Sequence, residues 1–211
     1  HVSETEKEHH DCLVRHGMTP VAYLAATGLF DCGGFVAHGV WCTDDDFRIL
    51  KEKNVVLVHN PSSNMKLGSG FARIPRARKL GVKVALGTDG CASNDNLDLF
   101  EEMHLTSLIH KGLAKDPTVL SPWDVIEMAT YGNRLAVGAS ADFCVVDLNR
   151  IHLRPALDIP NLVVHSMHAS DVVQTVVDGR LLYDHGTFPT VDVNRIRADF
   201  DAHVRHCLCA R

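Results

Sequence analysis

The chain has 211 residues, of which 45% are hydrophobic and 22% are charged, and its formal net charge is −5 with the histidines neutral. This is the composition of an ordinary globular protein. The basic residues are scattered except for a small group, Arg73, Arg76, Arg78 and Lys79, so nucleic-acid binding has little electrostatic support. No apolar run approaches the roughly 20 residues that span a bilayer, so a membrane protein is not expected.

The seven cysteines are odd in number and form no CxxC pair. A disulfide framework or a structural zinc ribbon is therefore not expected. We expect a protein of the reducing cytoplasm.

Alternating strand and helix patterns occupy the first two thirds of the chain. The apolar runs at residues 35–40, 55–58 and 82–86 are rich in β-branched residues, as in strands that are buried on both faces. Helices are predicted over residues 44–53 and 74–80, from a cap at Ser93 or Asn94 to about residue 111, and over residues 122–130 after a cap at Ser121. This alternation predicts βα units and a parallel sheet.

The pattern changes beyond about residue 135. Residues 141–148 and 171–183 are predicted strands, and the turn Asp178-Gly179 divides the second of them. Residues 149–168, which include Pro155 and Pro160, are predicted to be a loop, and residues 193–207 an amphipathic helix. We therefore expect a small β unit followed by a C-terminal helix.

Polar residues follow each predicted strand of the parallel sheet. They include His38, His59 and Asp89, and the first five residues, with His1 and Glu4, have the character of one more strand end. Carboxyl ends of parallel strands are where such folds place their chemistry. The set predicts a hydrolytic zinc site, with imidazole and carboxylate ligands and a second His and a Glu for proton transfer.

Some neighbouring residues have two interpretations. We favour a structural role for His59, which begins a His-Asn-Pro turn. Asn64, Lys66 and Ser69 either line the mouth of a pocket or order the loop before the next helix.

Specific segments of the chain resemble the amidohydrolase superfamily, above all its 5-methylthioadenosine/S-adenosylhomocysteine deaminases and their chlorohydrolase-like relatives. The segments that carry the resemblance, in order, are His1-Val-Ser-Glu4-Thr, Ala37-His38-Gly-Val-Trp, His59-Asn-Pro-Ser-Ser-Asn-Met-Lys-Leu-Gly-Ser-Gly70, Leu86-Gly-Thr-Asp89-Gly-Cys-Ala-Ser-Asn94, Asp98-Leu-Phe-Glu-Glu-Met103, Gly138-Ala-Ser-Ala-Asp142-Phe and Val176-Val-Asp-Gly179-Arg.

The resemblance implies an α/β fold, namely the C-terminal part (strands 5–8) of a metal-dependent hydrolase (β/α)8 TIM barrel plus a small β-sandwich-type composite domain. Residues 1–135 would be the C-terminal half of the barrel, residues 136–190 the small β domain, and residues 191–211 a C-terminal helix. His1 would follow strand 5, His38 strand 6 and Asp89 strand 8. The family's strand-1 His-x-His pair does not occur in the sequence, so we expect it upstream; the connection near residues 131–135 is shorter than in the family.

The resemblance also implies the chemistry. His1 and Asp89 would bind one Zn²⁺ per subunit, with Fe²⁺ as an alternative, and Glu4, His38 and Asp89 would be the catalytic and substrate-binding residues. Glu4 would protonate N1 of an adenine ring, His38 would polarise the attacking water or relay its protons, and Asp89 would accept a proton from that water.

The expected substrate is 5′-methylthioadenosine, S-adenosylhomocysteine or adenosine, converted to the inosine-type product and ammonia. The alternatives are a guanine or 8-oxoguanine deaminase, a triazine chlorohydrolase, or an inactive remnant that acts as a binding module. The expected partner is a small purine or related heterocycle, and a homo-oligomer is compatible with the resemblance.

Overall fold

The structure is a computed structural model that describes residues 1–209, with side chains through residue 208. The chain forms two compact units: residues 1–133 with 155–169, and residues 134–154 with the chain from 170 onward. No helix in the described part of the chain is both long and apolar enough to cross a membrane.

The first unit contains a three-stranded parallel sheet, which confirms the predicted α/β class. Its strands are β1 (Gly34–Ala37), β2 (Val55–His59) and β3 (Val84–Leu86), in the order β1-β2-β3. Two predicted strands, 35–40 and 82–86, were too long. The first ends early because His38 adopts a positive φ of 73°, which leaves the extended conformation.

The first unit contains nine helices in the described part of the chain. They are α1 (Glu6–His16), α2 (Pro20–Ala26), α3 (Asp44–Glu52), α4 (Pro61–Lys66), α5 (Ile74–Lys79), α6 (Cys91–Asn94), α7 (Leu99–Ala114), α8 (Pro122–Thr130) and α9 (Ile159–His165). The predicted helix over residues 122–130 is confirmed, and the hydroxyl of Ser121 accepts from the backbone N–H of Asp124 in a capping box.

The predicted start of the long helix was wrong. The chain forms the four-residue α6 at that point and leaves it through Asp95, whose φ is 65°. The cap of α7 is instead Asp98, whose carboxylate accepts from the backbone N–H groups of Phe100 and Glu101.

The predicted loop over residues 149–168 was also wrong. It contains α9, which Asp158 caps by accepting from the backbone N–H of Asn161. Residues 155–169 belong to the first unit rather than to the β domain predicted for them, because Val163 and Val164 of α9 pack in the hydrophobic core of that unit. The boundaries predicted at residues 135 and 190 stay predictions.

The sheet of the first unit has one face in the core. Val36, Leu57 and Val84 are neighbours in the strand register, are buried, and pack with Phe47 and Leu50 of α3. Since side chains alternate along a strand, the other face carries the residues between them. That face is also apolar but more accessible, and its residues include Phe35, Val56, Val58 and Ala85, with Phe35 77% exposed.

The second unit contains an antiparallel sheet of three strands. These are β4 (Phe143–Val146), β5 (Val172–Val177) and β6 (Arg180–Asp184), paired in that order. The predicted turn at Asp178-Gly179 is confirmed: both residues have positive φ, 49° and 71°, as a two-residue hairpin turn requires. Helix α10 (Val193–Cys209) follows.

Candidate active site

Three candidate metal ligands converge beyond the carboxyl ends of β1 and β3. One nitrogen each of His1 and His38 and one oxygen of Asp89 all lie within 4.8 Å of one another. His1 Nε2 is 4.0 Å from Asp89 Oδ1, and the rings of His1 and His38 stack with centroids 5.3 Å apart. The structure thus brings together three side chains that are far apart in the sequence.

The first residues of the chain are held beside β1. The backbone N–H of Val2 donates to the carbonyl of Ala37 at 3.2 Å, and that of Gly39 donates to the carbonyl of Val2 at 3.0 Å. Val2 and His38 form a parallel bridge. The segment therefore takes the position of a further parallel strand next to β1, which is why His1 and Glu4 lie at the same edge as His38.

Strained backbone accompanies the candidate ligands. Ser3, His38 and Asp89 have φ values of 51°, 73° and 60°, in the left-handed region that costs free energy for residues other than glycine. Such residues persist only where neighbouring interactions hold them, and they are concentrated at functional sites.

His38 is fully buried, and its orientation is determined by Asn64 on α4. The side-chain oxygen of Asn64 lies 2.9 Å from His38 Nδ1, so Nδ1 carries the proton and donates to it. His38 Nε2 has no hydrogen-bond partner within the described residues and lies 3.8 Å from Glu4 Oε2. The ring therefore presents Nε2 to whatever enters the site.

Asp89 is held by two serine hydroxyls. Ser63 Oγ and Ser93 Oγ donate to Asp89 Oδ2 at 2.6 and 2.7 Å, while Oδ1 faces His1. Burial alone would raise the pKa of Asp89, but the two hydroxyls, the N–H of Gly90 and the nearby His38 together lower it. The group is a carboxylate with one oxygen left for a cation.

Glu4 is positioned through its backbone and through one weak side-chain contact. The carboxylate of Glu8 accepts from the backbone N–H groups of Ser3 and Glu4 at 2.8 and 2.7 Å. Ser69 Oγ donates to Glu4 Oε1 at 3.3 Å. Of the residues with two interpretations, Ser69 thus contacts the site, whereas Lys66 binds Asp95 and the carbonyl of Ala92.

Sequence reasoning missed Ser63, Ser93 and Glu8 as supports of the site. Ser93 follows Asp89 by four residues, a spacing that suggests a local contact, but Ser63 and Asp89 are 26 residues apart. No local sequence pattern indicates the contact between Ser63 and Asp89.

His59 does not join the site residues. Its side chain is buried on the core face of β2, and its ring lies 5.3 Å from that of His110 on α7. Burial holds the pKa of His59 well below its ordinary value and lowers the pKa of His110 to about 4. Both rings are therefore neutral at pH 7.

The donor set fits a zinc ion. Zinc binds imidazole nitrogen at about 2.0–2.1 Å and carboxylate oxygen at about 2.0–2.2 Å, so two such ligands lie about 3.4 Å apart around a tetrahedral ion and never more than about 4.3 Å apart. His1 Nε2 and Asp89 Oδ1, at 4.0 Å, are within reach of one ion but farther apart than a tetrahedral ion would hold them. Within residues 1–208, His1, His38 and Asp89 form a group of three side chains whose ligand atoms lie close enough together to be candidates for one metal site.

Comparison with known proteins gives a consistent result. Residues 1–182 match the protein family that is described as "Amidohydrolase family". The chain is 40% identical over 208 residues to a 5-methylthioadenosine/S-adenosylhomocysteine deaminase of Acetivibrio thermocellus, covering 93% of this chain and 48% of that protein. It is 42% identical over 205 residues to a 5′-deoxyadenosine deaminase of Methanosarcina acetivorans, with coverage of 93% and 48%.

A solved structure is also similar. An adenosine deaminase from Xanthomonas campestris with bound zinc superposes with a TM-score of 0.87 at 28% identity, over 94% of this chain and 48% of that one. The chain spans about half the length of the curated relatives that it matches.

Proposed function

We propose that this chain, which belongs to the amidohydrolase family, forms the C-terminal part of a zinc-dependent aminohydrolase that converts an adenine nucleoside to the inosine-type product and ammonia. One observation carries the proposal: His1, Glu4, His38 and Asp89 come together at one edge of the parallel sheet. This set combines the ligand types of zinc with groups that move protons.

The names of the similar proteins support the substrate class. The deaminases from Acetivibrio thermocellus and Methanosarcina acetivorans are named for 5-methylthioadenosine, S-adenosylhomocysteine and 5′-deoxyadenosine. These molecules share an adenine nucleoside and differ at the 5′ carbon. We propose an adenine nucleoside of this kind, or adenosine itself, as the substrate.

His1 and Asp89 would hold one zinc ion per subunit. Bound zinc supplies Lewis-acid activation of a water molecule near neutral pH. The remaining ligands would come from a His-x-His pair on a first strand outside the printed sequence, in a complete (β/α)8 barrel. The accessible apolar face of the sheet, with Phe35 77% exposed, supports this arrangement because such a face becomes the interior of a closed barrel.

Residues of this chain would carry out the proton transfers of the proposed reaction. Asp89 would take one proton from the attacking water and pass it to the departing amine, while Glu4 would donate a proton to N1 of the purine. Glu4 would then recover a proton from the new hydroxyl on C6, so that ammonia leaves and the C6 carbonyl forms. His38 Nε2 would accept a hydrogen bond from the attacking water and orient it.

Substitution of Glu4 tests this proposal. In the intact protein, Glu4→Gln should lower the rate of ammonia release by about 10²–10⁴-fold, since it removes a general acid, while the bound zinc is retained. Glu52→Gln, at an exposed position of α3, is the matched control and should leave the rate unchanged.

Substitution of Asp89 tests the proposed binding of zinc. Asp89→Ala should remove both zinc and activity, as measured by metal analysis and by the loss of adenine absorbance. Full activity in that variant, or an active wild-type protein without metal, would overturn the proposal.

We also propose, from the sequence, that the protein is cytoplasmic and that it assembles into a homo-oligomer. The cysteines through residue 207 are free thiols, which is compatible with the cytoplasm. Fractionation of cells would test the location, and sedimentation would test for a homo-oligomer.

A further inference from the structure

Glu102 is a buried carboxylate outside the set of residues that the proposed reaction uses. Glu102 is on α7, is 1% exposed, and forms no ion pair with a Lys or Arg side chain among the described residues. Burial of an unpaired carboxylate is costly unless hydrogen bonds compensate for the lost hydration. The burial of Glu102 is therefore explained by the groups to which it forms hydrogen bonds.

The two oxygens of Glu102 connect two segments that support Asp89. Oε1 accepts from the side-chain amide of Asn94 at 2.7 Å, and Oε2 accepts from the backbone N–H of Ser62 at 3.1 Å. Each bond reaches a different chain segment. One carboxylate thus joins α7 both to α6 and to the first turn of α4.

The Asn94 branch leads to the backbone beside Asp89. The same amide nitrogen that donates to Glu102 also donates to the carbonyl of Thr88 at 2.6 Å. Thr88 directly precedes Asp89, whose φ of 60° is strained. A fixed carbonyl at residue 88 restricts the rotation of the peptide that places the Asp89 side chain.

The Ser62 branch leads to the side chain of Asp89. Ser62 directly precedes Ser63, whose hydroxyl donates to Asp89 Oδ2 at 2.6 Å. Asn60, which caps α4, makes no side-chain capping bond, so Glu102 satisfies a backbone donor that the cap leaves open. The position of Ser63 therefore depends on Glu102 as well.

We propose that Glu102 is a positioning residue for the proposed deaminase: it fixes Asp89 from both sides, through Asn94 and Thr88 and through Ser62 and Ser63. The inference rests on the proposed function, because Glu102 would support Asp89, the carboxylate that binds the metal in that proposal. Groups that orient metal ligands from behind typically contribute about 10–100-fold to metal affinity.

The test substitutes Glu102→Gln in the intact protein and measures zinc affinity by competition with a chelator. The glutamine has nearly the same shape but turns an NH₂ group toward either Asn94 or Ser62, so one of the two bonds becomes a donor–donor contact. Zinc should bind about 10–100-fold more weakly. The visible absorption of the cobalt-loaded variant should change as well, because that spectrum reports ligand geometry.

A matched control separates positioning from general loss of stability. Met103→Ala alters the adjacent core residue of α7, which lies in the hydrophobic core, and should lower the unfolding temperature while leaving zinc affinity and the cobalt spectrum near those of the wild type. Asn94→Ala cuts the Thr88 branch and should also weaken zinc binding. The double variant of residues 94 and 102 should be less than additive, since the two residues act in one network.

The outcomes distinguish the two proposals. An active wild-type protein whose Glu102→Gln variant binds zinc as tightly as the Met103→Ala control would overturn the positioning role and leave the proposed function intact. A wild-type protein that binds no zinc and releases no ammonia would overturn both. Should Glu102→Gln fail to fold, the zinc affinity of Asn94→Ala decides the question by itself.

Discussion

The pair of buried histidines predicts a specific acid sensitivity. His110 is 3% exposed, its Nε2 has no hydrogen-bond partner within the described residues, and burial lowers its pKa to about 4, compared with 6.5 for an unhindered histidine. Below pH 6.5 the unfolded chain binds a proton at this ring, whereas the folded chain does not do so until about pH 4. Stability should therefore fall as the pH falls through this window.

The magnitude follows from the size of the window. Each pH unit below 6.5 costs about 1.36 kcal/mol for one group that only the unfolded state protonates. Between pH 7 and pH 5 the contribution of His110 is about 2 kcal/mol. The perturbation is His110→Leu, which keeps an apolar side chain beside His59 and removes the titrating group.

The assay is urea unfolding of the intact wild-type and variant proteins at several pH values from 7 to 5. The free energy of unfolding of His110→Leu should rise relative to that of the wild type by about 2 kcal/mol over this range. His10→Leu, at an exposed position of α1, is the matched control for the substitution. Parallel pH dependence of the wild type and His110→Leu would refute the reasoning, because it would mean that the folded state protonates His110 as readily as the unfolded state does.

Three further predictions concern the site and its surroundings. Asn64→Leu should lower kcat by about 10–100-fold, because His38 Nδ1 loses the acceptor that orients the ring, and steady-state kinetics at constant zinc content would check this. Gly87→Ala should destabilise the protein by about 1–3 kcal/mol in urea unfolding, because the new Cβ would lie 2.5 Å from Asn60 Oδ1 and 2.8 Å from Val58 Cγ1; a cost near zero would contradict the packing described. Ser121→Ala should cost about 1 kcal/mol in the same assay, through the lost cap of α8, and an unchanged free energy of unfolding would show that this capping box adds nothing.

Much of the fold could be predicted from local patterns. The turn Asp178-Gly179 and the helix after Ser121 depend on the chemistry of adjacent residues, and both were predicted correctly. The alternation of strands and helices likewise indicated a parallel sheet. Where the local signal was ambiguous, as between Ser93 and Asp98, the prediction of the helix start failed because several residues nearby can all cap a helix.

The candidate site likewise contains residues that the sequence suggests and supporting residues that it does not. The proximity of His1, Glu4, His38 and Asp89 could be expected from the sequence, because the first residues have the character of a strand end and the ends of parallel strands meet at one edge of a sheet. The supports of these residues could not be identified. Which serine binds a carboxylate 26 residues away depends on the exact placement of two loops.

The local sequence was therefore sufficient for the alternation of strands and helices around the parallel sheet and for the residue types at the candidate site, because both arise from interactions between near neighbours along the chain. Only the packed structure decided that α9 joins the first unit, that His59 points to the core, and that Glu102 supports Ser62 at a distance of 40 residues. These features depend on which faces pack together, and packing selects contacts by shape and by the satisfaction of buried polar groups, which no short stretch of sequence encodes.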